Sequence, residues 1–271
     1  MEKQLSETQT IILGILEPLH RYLSENKIPY FISGGTLLGA VRHKGFIPWD
    51  DDMDIALPRK YYDRLLKELP EQLPEDFRLD TWQNNPEHHF YFAQLVDKRH
   101  IMMRTGSKEK RKENVWIDIF PLDGTPKNAI KRQLHRIHFM ALRAMYHFST
   151  IDKVNIKRPG RPLLDRIIIR FALITGFGKH TDKKVWLGRI DRLLRKYPYE
   201  GAPYAGNYMG QYKWKQIMPK ACFGKGALYP FESFKLRGPA DYDYFLKRIY
   251  GDYMKVPENR DKNAHHSELL N

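Results

Sequence analysis

The sequence predicts an α/β (α+β) protein in which a mixed β-sheet is flanked by helices and interrupted by a basic helical insertion. Two observations predict this class. Short β-favouring runs alternate with segments whose apolar residues recur at helical spacing, as they do between Gln4 and Asn26. The block from Lys127 to Glu200 is helical by pattern and interrupts the strand-forming signal. With 271 residues, 42% of them hydrophobic, the chain can bury a sizeable core.

Three parts follow from these patterns. Residues 1–126 hold most of the strand signals and form the predicted core. Residues 127–200 form the helical insertion, and residues 201–271, rich in Tyr, Gly, Pro and Trp, form a C-terminal segment that completes the core. At this length the chain is either one large domain or a domain with a sizeable insertion, and no internal repeat is visible.

The elements of the core are predicted in chain order. After the first helix, a short strand at Pro29 to Ser33 precedes the turn at Gly34-Gly35, which starts a second helix. A second strand ends at Leu57 and a helix begins after Pro58. Further strands are predicted at Phe77–Trp82, Phe90–Val96, His100–Arg104 and Val115–Phe120, with a solvated loop from Gly106 to Asn114.

Helices are predicted in the rest of the chain at Lys127–His147, Leu163–Thr175, Lys183–Tyr197 and Asp241–Tyr250. In the first of these, we expect one apolar line to face the core, consisting of Ile130, Leu134, Ile137, Met140 or Ala141, and Met145. His135 and His138 lie in the same helix without an acidic partner, and we expect them at the surface.

Positive charge is concentrated in the insertion. The chain carries a net charge of +14, and the block from Lys127 to Glu200 has eighteen Lys and Arg against five acids, which is 18 − 5 = +13. Such a field attracts nucleic acid, acidic lipid or a phosphorylated substrate. The block is either a solubilising surface or a contact with an anionic membrane, with Ile167 to Phe177 as the apolar part of that contact.

Cysteine use and hydropathy indicate the compartment. Cys222 is the only cysteine, which excludes an intramolecular disulfide and a cysteine-based zinc site. The N-terminal residues lack a signal-peptide pattern, and the longest apolar run, Ile167 to Phe177, contains Arg170 and is too short to span a bilayer. We expect a cytoplasmic protein, peripheral at the inner face of the plasma membrane where its basic block reaches it.

The chemistry is concentrated between Phe31 and Leu57. A helix that starts after Gly34-Gly35 presents free backbone N–H groups, which bind phosphate, although a lone Gly-Gly is more often only a turn. Four aspartates then fall within five positions, 50–54, and they repel one another unless a cation neutralises them. On a strand, Asp52 and Asp54 share one face, opposite Met53, Ile55 and Leu57.

Asp118 repeats this facing pattern on a second strand. It projects from the side opposite Val115, Ile117 and Ile119, so three carboxylates converge if the two strands are neighbours. Carboxylates grouped beside a phosphate-binding turn predict a divalent-metal site. Asp50 precedes the strand and is better suited to supporting the metal site or contacting substrate, and Asp51 is read as a turn residue.

These motifs resemble the signature of the LicD family, relatives of fukutin-related protein in the DNA polymerase β-like nucleotidyltransferase superfamily. The resemblance covers nearly the whole chain, and the segments that carry it are Ser33–Gly39, Arg42-His43, Ile47–Asp54, Trp116–Leu122, Phe231-Glu232, Tyr250–Met254 and Arg260 with His265 or His266. It implies a nucleotidyltransferase-type mixed sheet. It also implies that Asp52, Asp54 and Asp118 are catalytic and bind Mg²⁺, as one or two ions, with Mn²⁺ as a substitute.

The resemblance further implies a reaction and its binding residues. Family members transfer a phospho-alcohol, often phosphocholine, from a CDP-alcohol to a hydroxyl of a cell-surface glycan such as lipopolysaccharide, teichoic acid or capsule. The expected donor-binding residues are Ser33, Gly34, Gly35, Thr36, Arg42 and Lys44, and the expected supporting or substrate residues are Asp50, His43, Arg260 and His265. The C-terminal segment would supply the acceptor site. The zinc-binding cysteines of the fukutin-related branch are absent, so the chain resembles the bacterial branch.

Two alternatives stay open at this point. The first is nucleotidyl transfer from an NTP to a small acceptor, which would release pyrophosphate. The second is a non-catalytic nucleic-acid-binding protein driven by the basic block. It leaves Asp52, Asp54 and Asp118 unexplained and lacks a recognised binding motif, so nucleic acid is not the expected partner.

Overall fold

The computed structural model describes residues 5–104, 111–150, 170, 174–176, 182–210, 212–256 and 267–270. In this part of the chain a mixed sheet is flanked by helices, which confirms the predicted fold class. Along the main sheet the strands lie in the order β1 (Phe31–Ile32), β2 (Asp54–Pro58), β5 (Arg111–Gly124), β4 (Ala93–Arg104) and β10 (Ser267–Leu270). Among these pairings, only that of β2 with β5 is parallel.

The N-terminal elements build one side of the core. Helix α1 spans Glu7–Glu25 and begins with a capping box in which Ser6 and Gln9 bond each other's backbone N–H groups. Its inner face buries Ile12, Ile15, Leu16 and Leu19. The next elements are β1 (Phe31–Ile32), α2 (Gly34–His43), β2 (Asp54–Pro58) and α3 (Arg59–Glu68), followed by a 3₁₀ turn at Leu69–Gln72.

The central strands depart from the prediction in two places. Strands β3 (Phe77–Asp80), β4 (Ala93–Arg104) and β5 (Arg111–Gly124) pair antiparallel in that order. The two strands predicted within β4 are one strand whose pairing with β5 slips between Val96 and Ile101. The predicted loop up to Asn114 is wrong from Arg111 onward, because β5 begins there and its backbone pairs with β4; residues 106–110 lie outside the described residues.

The C-terminal segment adds strands to the same sheet. Strand β6 (Tyr204–Gly206) pairs with the end of β5, β7 (Met218–Pro219) pairs with β6, and β10 (Ser267–Leu270) pairs with β4. Strands β8 (Ala227–Phe231) and β9 (Phe234–Gly238) form a separate hairpin, and the last helix, α6, spans Tyr242–Tyr250. The division of the chain at residues 126 and 200 stays a prediction.

Two helices of the insertion are described, α4 (Ala129–Ser149) and α5 (Lys183–Leu194), while the predicted helix at Leu163–Thr175 lies almost wholly outside the described residues. The predicted inner face of α4 is wrong. Ile130, Leu134, Ile137 and Met140 are exposed, and the buried side chains are His135, Phe139 and Tyr146.

Aromatic packing explains the orientation of α4. His135 meets the edges of Tyr197 and Tyr208, with ring centroids 5.1 and 5.6 Å away, and Phe139 meets Tyr208 at 5.3 Å. Phe139 and Tyr208 belong to a second hydrophobic cluster, to which α5 contributes Trp186 and Ile190. Because edge-to-face pairs of large rings stabilise a helix face, the aromatic side of α4 packs inward and His135 is buried rather than at the surface.

A buried ion pair connects the second cluster to the main core. Arg59, at the start of α3, donates from Nε to Asp123 Oδ1 of β5 at 2.7 Å, and only 8% of Arg59 is exposed. Arg59 Nη2 also donates to the Tyr91 hydroxyl at 2.6 Å, and this hydroxyl in turn donates to Asp191 of α5 at 2.9 Å. Removing one partner would leave an uncompensated buried charge, so this network ties α5 to the sheet.

Candidate active site

The site is built where β1 ends and α2 begins. The Ser33 N–H donates to the carbonyl of Asp54 at 3.1 Å, so the start of α2 is bonded to the first residue of β2. Gly34 follows with a backbone φ of +55°, which residues other than glycine rarely adopt. The N–H groups of the first turn of α2 therefore lie beside the aspartates, at the positive end of the helix.

Asp54 and Asp118 lie opposite each other. They are register partners in the parallel pair of β2 and β5, and the Asp118 N–H donates to the carbonyl of Met53 at 2.9 Å. Met53 and Ile55 are fully buried, as the alternation predicted. Asp52 does not lie on the strand, because β2 begins only at Asp54.

Both glycines are in contact with carboxylates. A Cβ atom at Gly34 would be 2.5 Å from Asp54 Oδ2, and one at Gly35 would be 2.6 Å from Asp50 Oδ2 and 3.9 Å from Asp52 Oδ1. The absence of side chains at these two positions is thus what allows Asp54 and Asp50 to approach the backbone at the start of α2.

The aspartates also perturb one another electrostatically. Burial raises the pKa of Asp54 well above its usual range, and the charges of Asp52, Asp118 and Asp50 raise it further. Burial, followed by the charges of Asp52 and Asp51, raises the pKa of Asp50 to about 8. This pattern is that of a carboxylate cluster whose repulsion a bound cation would relieve.

Three residues hold these aspartates in place, and the sequence reasoning missed two of them, Gln94 and Gln9. The Thr36 hydroxyl was expected to bind donor, but here it accepts the N–H of Asp54 at 2.8 Å. Gln94, the register partner of Asp118 on β4, donates to Asp118 Oδ1 at 2.8 Å, and Gln9 donates to the Asp50 carbonyl at 2.8 Å. The signals available were a single amide in the apolar run Phe90–Val96 and the capping box at Ser6.

Tyr250, at the end of α6, is the third missed residue. Its hydroxyl is 4.0 Å from the position of a Cβ on Gly34. Burial raises the pKa of the Tyr250 phenol, and Tyr212, Asp54 and Asp50 raise it further. The C-terminal segment therefore contributes a hydroxyl to the edge of the aspartate cluster.

The basic residues lie at the C-terminal end of α2, the end opposite to the glycines. Arg42 donates from Nε to His43 Nε2 at 2.9 Å and from Nη1 to the Tyr253 carbonyl at 3.0 Å. Lys44 is exposed at the opposite end of α2, roughly 13 Å along the helix axis from Gly35 at 1.5 Å per residue. Arg42 is therefore engaged with the C-terminal segment, and Lys44 is not brought to the start of the helix. Arg260 and His265 lie outside the described residues.

The carboxylates of this site are of the right chemical type to bind a divalent cation, but their side chains are not arranged around a common point. Carboxylate oxygens are the ligands that Mg²⁺ and Mn²⁺ prefer, and Asp52, Asp54 and Asp118 supply them. Among the described residues, however, no three His, Cys, Asp or Glu side chains are positioned together as a ready set of ligands. A metal at this place therefore belongs to the proposal below.

A mixed sheet with a Gly-Gly helix start beside strand-borne aspartates defines a nucleotidyltransferase-type fold. Comparison with known proteins agrees with this assignment. Residues 27–147, somewhat less than half of the chain, match the model described as "LicD/FKTN/FKRP, nucleotidyltransferase domain", which confirms the predicted resemblance.

Curated relatives extend the likeness. The chain is 29% identical over 265 residues to the lipopolysaccharide cholinephosphotransferase LicD of Haemophilus influenzae, covering 97% of this chain and 96% of that protein. It is 29% identical over 101 residues to the ribitol 5-phosphate transferase FKRP of Homo sapiens, which is 36% of this chain and 19% of that protein. An uncharacterised protein of Rickettsia typhi is 47% identical over 55 residues, 20% of this chain and 18% of that protein. The prediction that the protein is an enzyme of the transferase class is confirmed, because the relatives with named activities are transferases.

Proposed function

We propose that this protein transfers a phospho-alcohol from a CDP-alcohol to a hydroxyl of a cell-surface glycan precursor. The observation that supports it most strongly is the in-register pairing of Asp54 with Asp118 beside the start of α2. The relative of nearly full coverage acts on lipopolysaccharide and transfers phosphocholine, so choline is the first alcohol to test.

In the proposed reaction, the acceptor hydroxyl loses its proton and its oxygen forms a new bond to the phosphorus that carries the alcohol. The bond from that phosphorus to the bridging oxygen of the pyrophosphate breaks, and CMP leaves. The protein acts chiefly by positioning the two substrates and by stabilising the charge of the transition state, as in phosphoryl transfer generally. The N–H groups after Gly34 and Gly35 would bind donor phosphate oxygens.

A divalent cation is part of this proposal, and Asp52, Asp54 and Asp118 would hold it. When bound, such a cation neutralises charge on the phosphates and polarises the phosphoryl group. Thr36 and Gln94 would keep Asp54 and Asp118 in position through the bonds that they make to them. Tyr250 would contact the donor or acceptor at the edge of the cluster.

The proposal also covers where the reaction takes place. The protein would encounter a lipid-linked glycan acceptor at the inner face of the plasma membrane, which is compatible with the predicted cytoplasmic, peripheral location. Among the described residues, none of the helices is long and apolar enough to cross a membrane.

The test is incubation of the full chain and Mg²⁺ with CDP-choline, CDP-ribitol or CDP-glycerol and a glycan acceptor, with CMP as the readout. We expect CMP release from one of these donors only when acceptor and metal are present. Parallel reactions with CTP test the alternative nucleotidyl transfer, because only that reaction releases pyrophosphate. Pyrophosphate from CTP without CMP from any CDP-alcohol would overturn the proposal.

A further inference from the structure

Helix α4 has two apolar faces, and in the part of the chain that the structure describes only one of them is covered. The inner face buries His135, Phe139 and Tyr146. The opposite face carries four large aliphatic side chains at positions i, i+4, i+7 and i+10: Ile130, Leu134, Ile137 and Met140, which are 73%, 60%, 57% and 45% exposed. We call these four residues the outer stripe of α4. An exposed contiguous apolar stripe of this kind marks an interaction surface.

The stripe lies in a strongly basic setting. Helix α4 contains no acidic residue and carries Lys131, Arg132, Arg136 and Arg143, with Lys127 just before it. Lys127, Lys131 and Arg136 are exposed. Arg132 and Arg136 lie over the rings of Tyr204 and Trp214, at 4.8 and 5.0 Å from the centroids, so they flank the helix on the protein side.

From this arrangement we infer that α4 lies flat on an anionic lipid bilayer, with its outer stripe in the boundary between headgroups and acyl chains. Helices with an aliphatic stripe bordered by Lys and Arg bind such surfaces, because apolar burial and attraction to anionic headgroups act together. The inference does not depend on the proposed transfer reaction. It also assigns the apolar contact to α4, whereas the sequence placed it at Ile167–Phe177, mostly outside the described residues.

The charges argue against two other occupants. A second copy of the chain docked through the same stripe would bring two helices without acidic residues together, and like charges repel across an interface. A nucleic acid would satisfy the cations but would leave four aliphatic side chains without a matching partner, since binding to phosphates is an electrostatic interaction.

The test is flotation of the purified full chain with vesicles of phosphatidylcholine alone or mixed with phosphatidylglycerol. We expect binding to the mixed vesicles only, weakened by salt. The variant L134S/I137S should bind at least about tenfold more weakly, because two buried aliphatic side chains are lost from the contact. The matched control is Leu228→Ser on β8, which is 60% exposed, as Leu134 is, and should bind like the unchanged chain.

Several outcomes would overturn the inference. These are no binding of the unchanged chain to the mixed vesicles, full binding by L134S/I137S, or an equal loss in Leu228→Ser. A shift of L134S/I137S from dimer to monomer on size exclusion, with vesicle binding intact, would instead assign the stripe to self-association. CMP release with a soluble acceptor should be unchanged in L134S/I137S, so failure of membrane binding and failure of the proposed reaction are distinguishable.

Discussion

Gly34 and Gly35 show how single residues shape this site. Each lies where a Cβ would strike an aspartate oxygen, at 2.5 and 2.6 Å, and Gly34 also has a positive φ. At Gly34 both the backbone conformation and the close approach of Asp54 favour glycine, whereas at Gly35 only the close approach of Asp50 does. These aspartates lie some twenty residues further along the chain. Gln94 and Thr36 act at the same scale by donating to, or accepting from, a single aspartate each.

The first prediction concerns Gly34→Ala. We expect the free energy of unfolding to fall by about 1 to 3 kcal/mol, because alanine at this φ is strained and its Cβ displaces Asp54. Denaturant unfolding measures the change. Gly14→Ala in α1 is the control, since no atom lies within 4 Å of its Cβ and alanine favours helix, so it should be neutral or stabilising by up to about 1 kcal/mol. Equal effects of the two substitutions would contradict the account.

The second prediction concerns Gln94→Leu. Removal of the donor to Asp118 should weaken the apparent affinity for Mg²⁺ about tenfold or more, as is typical for groups that orient a metal ligand. The Mg²⁺ dependence of the melting temperature measures this without requiring turnover. Gln83→Leu makes the same chemical change at an exposed position. If Gln94→Leu shows the same Mg²⁺ titration as Gln83→Leu, Gln94 does not position Asp118.

At the scale of elements, the side-chain facing on β2 and β5 could be predicted from the sequence, but the buried side of α4 could not. The facing of Asp54 and Asp118 could be read from each strand alone, because alternation is local. Their exact opposition and the bond from Gln94 depend on the register among β2, β5 and β4, which the sequence does not specify. Helix α4 has apolar residues on both sides, so its pattern predicts a helix without indicating which side packs inward.

The third prediction follows from the buried face of α4. Burial, with the nearby charges of His138 and Lys196, lowers the pKa of His135 from 6.5 to about 4. The rings of Tyr197 and Tyr208 also face it, and in the described part of the chain its Nε2 has no hydrogen-bond partner. The unfolded chain therefore takes up a proton at higher pH than the folded chain. Stability is full above about pH 6.5 and is lost as the pH falls toward 4.

The loss attributable to His135 is up to about 3 kcal/mol over that interval. The measurement is the free energy of unfolding from pH 7 to pH 4. His135→Phe should remove this part of the pH dependence, and His147→Gln, at an exposed position on the same helix, should leave it in place. A pH profile of His135→Phe identical to that of the unchanged chain would rule out a neutral, buried His135.

At the scale of the whole molecule, the C-terminal segment joins the site to the sheet. Tyr250 reaches the aspartates, Tyr253 accepts from Arg42, and Glu232 at the β8–β9 turn accepts the N–H of Phe46 at 2.9 Å. The sequence indicated the fold class and the aspartates but gave Tyr250 no role, because the approach of α6 to α2 is a tertiary contact over more than 200 residues.

In the proposed reaction, Asp54 and Asp118 act as a pair that holds a divalent cation for phospho-alcohol transfer. The most direct test is Mg²⁺-dependent CMP release from the CDP-alcohol panel by Asp54→Asn and Asp118→Asn. The control is Asp63→Asn, whose partly exposed carboxylate pairs with Arg195 at the surface. Because removal of one negative charge relieves repulsion, both site variants should be at least as stable as the unchanged chain without metal.

We predict that the unchanged chain and Asp63→Asn release CMP at similar rates, while each site variant is slower by about a thousandfold or more, which corresponds to about 4 kcal/mol of transition-state stabilisation. Folded Asp118→Asn that releases CMP at the rate of the unchanged chain, with the same dependence on Mg²⁺, would contradict the account.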